Sequence, residues 1–319
     1  MNFDHLIPAP DTPAKCGRVA VLMGGTSAER AVSLKSGSFV LQALLDAGVD
    51  AFGVDLNQDR LVQLQDLQAD RVFNILHGRG GEDGEVQAIL EILNLPYTGS
   101  GVKASAVTMD KLMTKRLLLG SGIHTPAFMQ LKTLQDCQQA LDVIGLPLII
   151  KPVNEGSSIG MSKVTSAEEL EAAFLLAAQY GAVLAEQWVS GSEYTVAWVG
   201  NTVLPAIRLE TPHVFYDYSA KYEASDTRYI CPCGLDPQPL QSLNEIVAQT
   251  IDVCEVRDWG RVDLMRDEQG RFQVIEVNTV PGMTDHSLVP MAAKQAGLSF
   301  QQLVLKLIHL TLREEVQHV

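Results

Sequence analysis

Residues 261–278 read RVDLMRDEQGRFQVIEVN, two runs of alternating apolar and polar residues around a turn that contains Gly270. Alternation with period two marks a strand with one buried face, and a glycine-bearing turn between two such runs predicts a β-hairpin. Arg261 and Asp263 share one face of the first run, and Glu276 and Asn278 share one face of the second. Turn parity decides whether these faces coincide. A four-residue loop, Asp267 to Gly270, sets Arg266 against Arg271, Asp263 against Val274 and Arg261 against Glu276. All four polar residues then lie on one side, with Asp263 diagonal to Glu276 and roughly 7–8 Å from it between backbones. An odd loop without a compensating bulge turns Asp263 to the other face.

Two carboxylates and an amide oxygen are hard donors suited to Mg²⁺ or Mn²⁺, with nucleotide phosphates completing an octahedral shell. Taken alone, a solvated, charged sheet face explains the hairpin equally well. The rest of the chain favours the ligand reading. Lys151 ends the apolar run LPLIIKPV immediately before NEGSSIG (154–160), a glycine and serine loop whose N–H groups and hydroxyls suit a phosphate. Lys111, on a helix read from Val102 to Leu119, is a second candidate for phosphate. The sequence has neither G-x-x-x-x-G-K-[ST] nor G-x-G-x-x-G, which disfavours a P-loop nucleotidase and a standard dinucleotide binder.

Working outward, RVAVLM (18–23), Gly24-Gly25 and a helical pattern to Gly48 form a strand, turn and helix; strands near 51–56 and 71–76 and a helix at 86–93 repeat the alternation. The first hundred residues predict a small parallel α/β sheet, and ligands meet such sheets at the loops after the strands. GGTSAER and HGRGGEDG occupy those loops. The helix from Val102 to Leu119, a strand near 128–131, a helix at 134–144, LPLIIKPV, a helix at 166–180 and the strand AVLAEQWV predict a second α/β unit. YTVAWVG and VLPAIRLE read as strands joined at Gly200-Asn201, residues 211–235 as a functional loop or lid, and 238–257 and 299–316 as helices. The residues before Arg18 read as a mobile tail.

The 319 residues are 46% hydrophobic and carry a net charge of −14, which argues against partnership with nucleic acid or an anionic membrane. No signal peptide and no apolar stretch of spanning length is present, so the chain reads as cytoplasmic. The five cysteines are few, odd in number and scattered, and read as reduced thiols, because Cys231-Pro-Cys233 has no partner pair at zinc spacing.

Eight stretches together resemble the D-alanine:D-alanine ligases of the ATP-grasp superfamily, in that family's order from about Arg18 to the last helix: GGTSAERAVSLKSG, LHGRGGEDG, PYTGSGVKASAVTMDK, IIKPVNEGSSIGMSKV, EQWVSGSEYTVA, FYDYSAKY, WGRVDLM and EVNTVPGMTDHSLVP. The resemblance implies a mixed α/β ATP-grasp fold after an N-terminal extension (1–17). An N-terminal Rossmann-like substrate domain (18–103) precedes central (104–190) and C-terminal (191–319) ATP-grasp subdomains. ATP, the co-substrate, is expected between the last two. Lys111, Lys151, Ser157, Ser158 and Lys221 are expected around its phosphates, and Glu186, Trp188, Val189 and Glu193 around adenine and ribose. Asp263, Glu276 and Asn278 are expected to hold two Mg²⁺ or Mn²⁺ ions.

By the same resemblance, Glu29 and His77 receive the first D-alanine, and Ser157 and Tyr222 link to Glu29. Lys221, Ser287 and the backbone at Leu288 take the second D-alanine's carboxylate. Arg261 and the Gly282 N–H stabilise the oxyanion. Individually, Glu29 is as readily a helix first-turn carboxylate, His77 a loop histidine and Tyr222 a surface aromatic. Tyr222, where relatives that use D-lactate typically carry His, favours the dipeptide. Gln187 stands where Lys is frequent in the family, and Asp285 adds negative charge beside the Pro-Gly turn. The expected product is D-alanyl-D-alanine for peptidoglycan, made through an acyl phosphate by a homodimer. D-serine or D-lactate as second substrate is the near alternative; a nucleotide sensor or a nicotinamide-dependent oxidoreductase is the distant one.

Overall fold

The computed structural model describes residues 3–9, 11–211 and 227–312, in three sheets flanked by helices. The first sheet has the order β2-β1-β3, with β1 (Val19–Gly24) between β2 (Ala51–Leu56) and β3 (Arg71–Asn74), all parallel. Every residue of β1 is buried, as expected for a central parallel strand covered on both faces. That is why RVAVLM reads as an unbroken apolar run.

The second sheet, β4 (Phe128–Leu131), β7 (Val183–Gln187), β5 (Leu148–Pro152) and β6 (Ser162–Val164) in that order, is antiparallel throughout. Helices Leu134–Ile144 and Leu170–Ala178 pack on one of its faces around Ala140, Leu148, Ile150 and Ala177. A capping box between Thr133 and Asp136 starts the first of these helices.

The third sheet runs β11 (Arg228–Ile230), β10 (Ile207–Glu210), β8 (Gly191–Val199), β12 (Trp259–Asp267) and β13 (Phe272–Asn278), with β9 (Thr202–Val203) on β8. Three sequence readings change here. VLPAIRLE divides into β9 and β10, because Pro205 has no N–H to give to a ladder. Part of the loop expected at 211–235 is strand β11, paired with β10. The single helix expected from Val102 to Leu119 is two, Val102–Met109 and Lys111–Gly120, broken at Asp110. Asp110 is extended (φ −89°, ψ 98°), and its Oδ1 accepts from Met113 N at 2.8 Å, capping the second helix. Lys111 thereby becomes the first residue of a helix.

The hairpin itself departs from the expected register. Arg266 faces Phe272, and the Asp267 N–H donates to Arg271 O at 2.9 Å, so the loop is odd, with Gly270 at φ 81°. A bulge follows: Leu264 faces Val274 but Asp263 faces Glu276, leaving Ile275 as the extra residue. The bulge cancels the odd turn. Asp263 therefore lies directly opposite Glu276, and Arg261 opposite Asn278, where the four-residue loop had set them against Val274 and Glu276.

The described residues before Arg18 pack onto the core where a mobile tail was expected. Leu6 and Cys16 are buried in the core that joins the first sheet to the helices Leu288–Gln295 and Phe300–Leu310. His5 Nε2 bonds Thr202 Oγ1 at 2.8 Å. No described helix is long and apolar enough to cross a membrane.

Candidate active site

Two cavities meet between the sheets. The larger, of about 730 Å³, separates the second sheet from the third and is lined by Ile149, Lys151, Trp188 and Val189 on one side and Leu209, Asp263, Met265 and Glu276 on the other. The smaller, of about 620 Å³, lies where the loops after β1 and β3 face the hairpin and the Gly282–Leu288 turn. Lys111, Gly156, Ser157 and Glu276 line both.

The hairpin supplies the shared wall. Arg261 grips Asp263 bidentately, Nε to Oδ1 and Nη2 to Oδ2 both at 2.8 Å, and Thr195, opposite on β8, donates to Asp263 Oδ1 at 2.6 Å. Asn278 Oδ1 accepts from Val280 N at 3.1 Å, which fixes its orientation. Lys111 Nζ stands 3.9 Å from Glu276 and donates to Glu155 O at 2.6 Å. These donors fit a hard divalent cation. A carboxylate has about four acceptor sites, of which Asp263 uses three, and an amide oxygen has two, of which Asn278 uses one. No cluster of three or more His, Cys, Asp or Glu side chains able to hold a metal occurs among the described residues. Oxygens from a nucleotide would have to complete the shell.

The glycine and serine loop crosses from one cavity to the other. Ser157 (φ 49°) and Ser158 (φ 60°) are both left-handed, a conformation that costs non-glycine residues about a kcal/mol or more. It turns the Ser157 hydroxyl to Glu29 Oε1 at 2.6 Å. A Cβ at Gly156 would sit 2.9 Å from Glu29 Oε2, so a larger residue would push the end of that carboxylate side chain aside. Glu29 precedes the helix Arg30–Asp46 but makes no side-chain cap bond to it. Its carboxylate is used across the cleft, unlike an ordinary first-turn residue.

Burial sets the ionisation of the smaller cavity. Its desolvation pushes the His77 imidazole below its usual value, against the opposing pull of Glu29, and His77 Nε2 is buried with no hydrogen-bond partner among the described residues. Burial, reinforced by the Glu29 charge, raises the Glu82 carboxyl to about 8, although it accepts from Gly78 N at 2.6 Å. Across the cavity, Ser287 Oγ accepts from Thr284 N at 2.9 Å and lies 3.1 Å from where a Cβ at Gly282 would stand.

In the larger cavity Glu186 binds Lys151 at 2.8 Å and Lys115 at 3.0 Å. Burial would raise the Glu186 carboxyl, but the two lysines outweigh it and the net direction is down. Lys163 Nζ sits 3.8 Å over the Trp188 ring, fixing that indole at the cavity wall.

The larger cavity thus gathers Lys111, Lys151, Ser157, Ser158, Glu186, Trp188, Val189, Glu193, Asp263 and Glu276. The smaller gathers Glu29, His77, Arg261, Asn278, Gly282, Ser287 and Leu288. Lys221 and Tyr222 lie outside the described residues. Glu82, Lys115 and Thr195 escape the sequence reading. Glu82 lies in a loop already singled out, and Lys115 follows Lys111 by one helical turn, but nothing in the sequence distinguishes either from a surface charge.

Residues 117–309 match the family model described as D-ala D-ala ligase C-terminus, and residues 58–100 the one described as D-ala D-ala ligase N-terminus. The D-alanine--D-alanine ligase of Pseudomonas putida (strain GB-1) is 58% identical over 307 residues, 96% of each chain. The crystal structure of D-alanine--D-alanine ligase from Bacillus anthracis superposes with a TM-score of 0.82 at 32% identity, covering 93% of this chain and 97% of that one. A structure of D-alanine--D-alanine ligase from Bacillus anthracis complexed with ATP gives 0.80 at 29% identity, over 93% and 98%. With family models matched over residues 58–100 and 117–309 and the relatives aligned over nearly their whole length, the chain belongs to the D-alanine–D-alanine ligase family.

Proposed function

We infer that the protein is an ATP-dependent ligase that joins two D-alanine molecules into D-alanyl-D-alanine for peptidoglycan synthesis. The observation that carries this reading is the pair of cavities meeting at Lys111, Gly156, Ser157 and Glu276. A nucleotide in one and an amino acid in the other have their reacting ends side by side.

ATP enters the larger cavity, its base and ribose against Trp188, Val189, Glu193 and the backbone of Glu186, its phosphates toward Lys111, Lys151 and the Ser157-Ser158 turn. Asp263, Glu276 and Asn278 would hold two Mg²⁺ or Mn²⁺ ions, which when bound neutralise phosphate charge. Glu29, held by Ser157, binds the ammonium of the first D-alanine beside His77. The carboxylate of that D-alanine attacks the γ-phosphorus, giving an acyl phosphate and ADP. The amine of the second D-alanine, whose carboxylate is received by Ser287, the Leu288 backbone and Lys221, then attacks the acyl carbon and phosphate leaves. Arg261 and the Gly282 N–H stabilise the tetrahedral oxyanion, and Tyr222 completes the link to Ser157 and Glu29.

The three sheets serve as three working units, 18–103, 104–190 and 191–319. The reading extends to a cytoplasmic homodimer, which sedimentation of the purified protein tests. Phosphate release measured over D-alanine, D-serine, D-lactate and L-alanine tests the activity: release with D-alanine and a D-alanyl-D-alanine product is expected. Release with L-alanine but not D-alanine ends the reading.

A further inference from the structure

Behind the larger cavity lies a buried cluster with more positive than negative charge. Lys115 is 0% exposed, Glu186 4% and Lys151 7%. Both ammonium groups converge on the same carboxylate oxygen, Glu186 Oε2, at 3.0 Å and 2.8 Å. Lys115 also donates to Thr125 Oγ1 at 2.7 Å, and Thr125 donates onward to Val274 O at 2.8 Å, on the strand that carries Glu276. The Phe128 ring centroid lies 5.8 Å from Nζ, and the Glu276 carboxylate acts on the same ammonium from further off. Two cations and one anion leave the cluster with one unit of positive charge. Of its three members, Lys151 and Glu186 line the cavity and Lys115 does not.

A lysine paired alone with a buried carboxylate is electrically spent, and such a dipole attracts a phosphate weakly. A second cation on the same oxygen changes that balance, because the carboxylate's charge is divided between two partners. Burying an excess charge is costly without a counter-ion, so the arrangement is suited to an anion arriving from the cavity side. Burial first, and then the neighbouring Lys151, lower the Lys115 ammonium to about 8, against the support of Glu186 and Glu276.

We propose that Lys115 is a positioning residue for the nucleotide: by taking up half of the Glu186 carboxylate from behind, it leaves Lys151 able to present net positive charge to the phosphates. This rests on the reading of the larger cavity as the ATP site. Lys115 acts through Glu186 and Lys151 and touches no substrate.

Steady-state kinetics and ADP titration of four variants test it, with folding checked by circular dichroism melts. Lys115→Gln keeps a donor for Glu186 and Thr125 but removes the charge; it should raise the KM for ATP and the Kd for ADP about tenfold, the order expected of one charge across a low-dielectric wall. Its KM for D-alanine should stay within twofold of the wild type. Lys115→Gln combined with Glu186→Gln leaves Lys151 as a lone cation and should restore ATP affinity to within threefold. A purely structural Lys115 predicts no such rescue. An unchanged ATP KM in the single variant, or a double variant as weak as the single, overturns the proposal. If Lys115→Gln does not fold, Glu186→Gln alone decides: an ATP KM at or below the wild-type value supports the proposal and a rise overturns it. Lys151→Gln separates the two layers of inference, since an unchanged ATP KM there removes the nucleotide site itself.

Discussion

The two cavities share four wall residues and are built by different means. The larger takes its walls mainly from strands, and its charged groups face one another: Arg261 grips Asp263, while Lys115 and Lys151 share Glu186 and leave one positive charge over. The smaller adds polar groups from loops, Glu29, His77, Glu82 and Ser287 among them, to those of the hairpin, and there burial shifts single groups, with His77 pushed down and Glu82 pushed up. A cavity prepared for a highly charged anion can hold its own ions against one another, with one cation in excess, and exchange partners when the ligand arrives. One prepared for a small zwitterion must instead leave single groups poised for an ammonium and a carboxylate. The difference follows from ligand charge.

The comparison breaks most severely at the shared wall. Glu276→Gln removes one of two opposed carboxylates and the partner of Lys111, and turnover should fall more than about 10²-fold with both substrates saturating. ADP-release assays on folded protein check this, and near-normal turnover removes the metal assignment. Ser157→Ala tests the amino-acid side. Losing a hydrogen bond to a charged group should raise the KM for the first D-alanine about tenfold, while the KM for ATP moves less than about threefold. Equal effects on both substrates would mean that the cavities are not separable at this residue.

A third experiment sharpens the claim that burial governs the smaller cavity. The Glu82 carboxyl, at about 8 in the fold against 4.5 in the unfolded chain, keeps a proton that the unfolded chain releases between those values. The fold binds more protons in that window, so stability falls as pH rises through it. Glu82→Gln cannot lose a proton. The wild type should therefore lose several degrees of melting temperature relative to this variant between about pH 5 and pH 8, and parallel curves would show that Glu82 ionises normally. The smallest effect belongs to Lys163, whose ammonium lies over Trp188 at the edge of the larger cavity. Lys163→Met should change the ATP KM by no more than about threefold and leave D-alanine unaffected; a tenfold loss would make Lys163 a phosphate ligand instead.

Much of the fold was legible because its elements obey simple periods. β1 and the hairpin strands are readable from apolar runs and alternation, and β8 to β9 from Gly200-Asn201. The hairpin's register was not read, although FQVIEVN carries the mark of a one-residue bulge: buried residues fall at 272 and 274 and then at 277, with Val274 and Ile275 adjacent, a slip that reverses the parity of everything beyond it. The break at Asp110 was missed because an apolar period runs through it on both sides, and only the cap reveals that Lys111 opens a new helix. In the site, motif order supplied the residues that face the cavities. Lys115 and Thr195 stayed hidden because they act on other side chains from behind the surface, where one-dimensional patterns record a lysine or a threonine and nothing of its partner. The docked segment around Leu6 was missed for the converse reason: two apolar residues are too few to make a period, yet enough to fill a core.

The common wall of Lys111, Gly156, Ser157 and Glu276 also bears on inhibition. A single molecule carrying a nucleotide-like head and an amino-acid-like tail, joined by a short acidic bridge, needs no long tether to occupy both compartments. With so short a bridge, the second end binds at an effective concentration in the millimolar range once the first is seated, and little tether freedom is lost on binding. Two fragments of ordinary strength, one from each compartment, are then the natural starting points for a tight bisubstrate ligand.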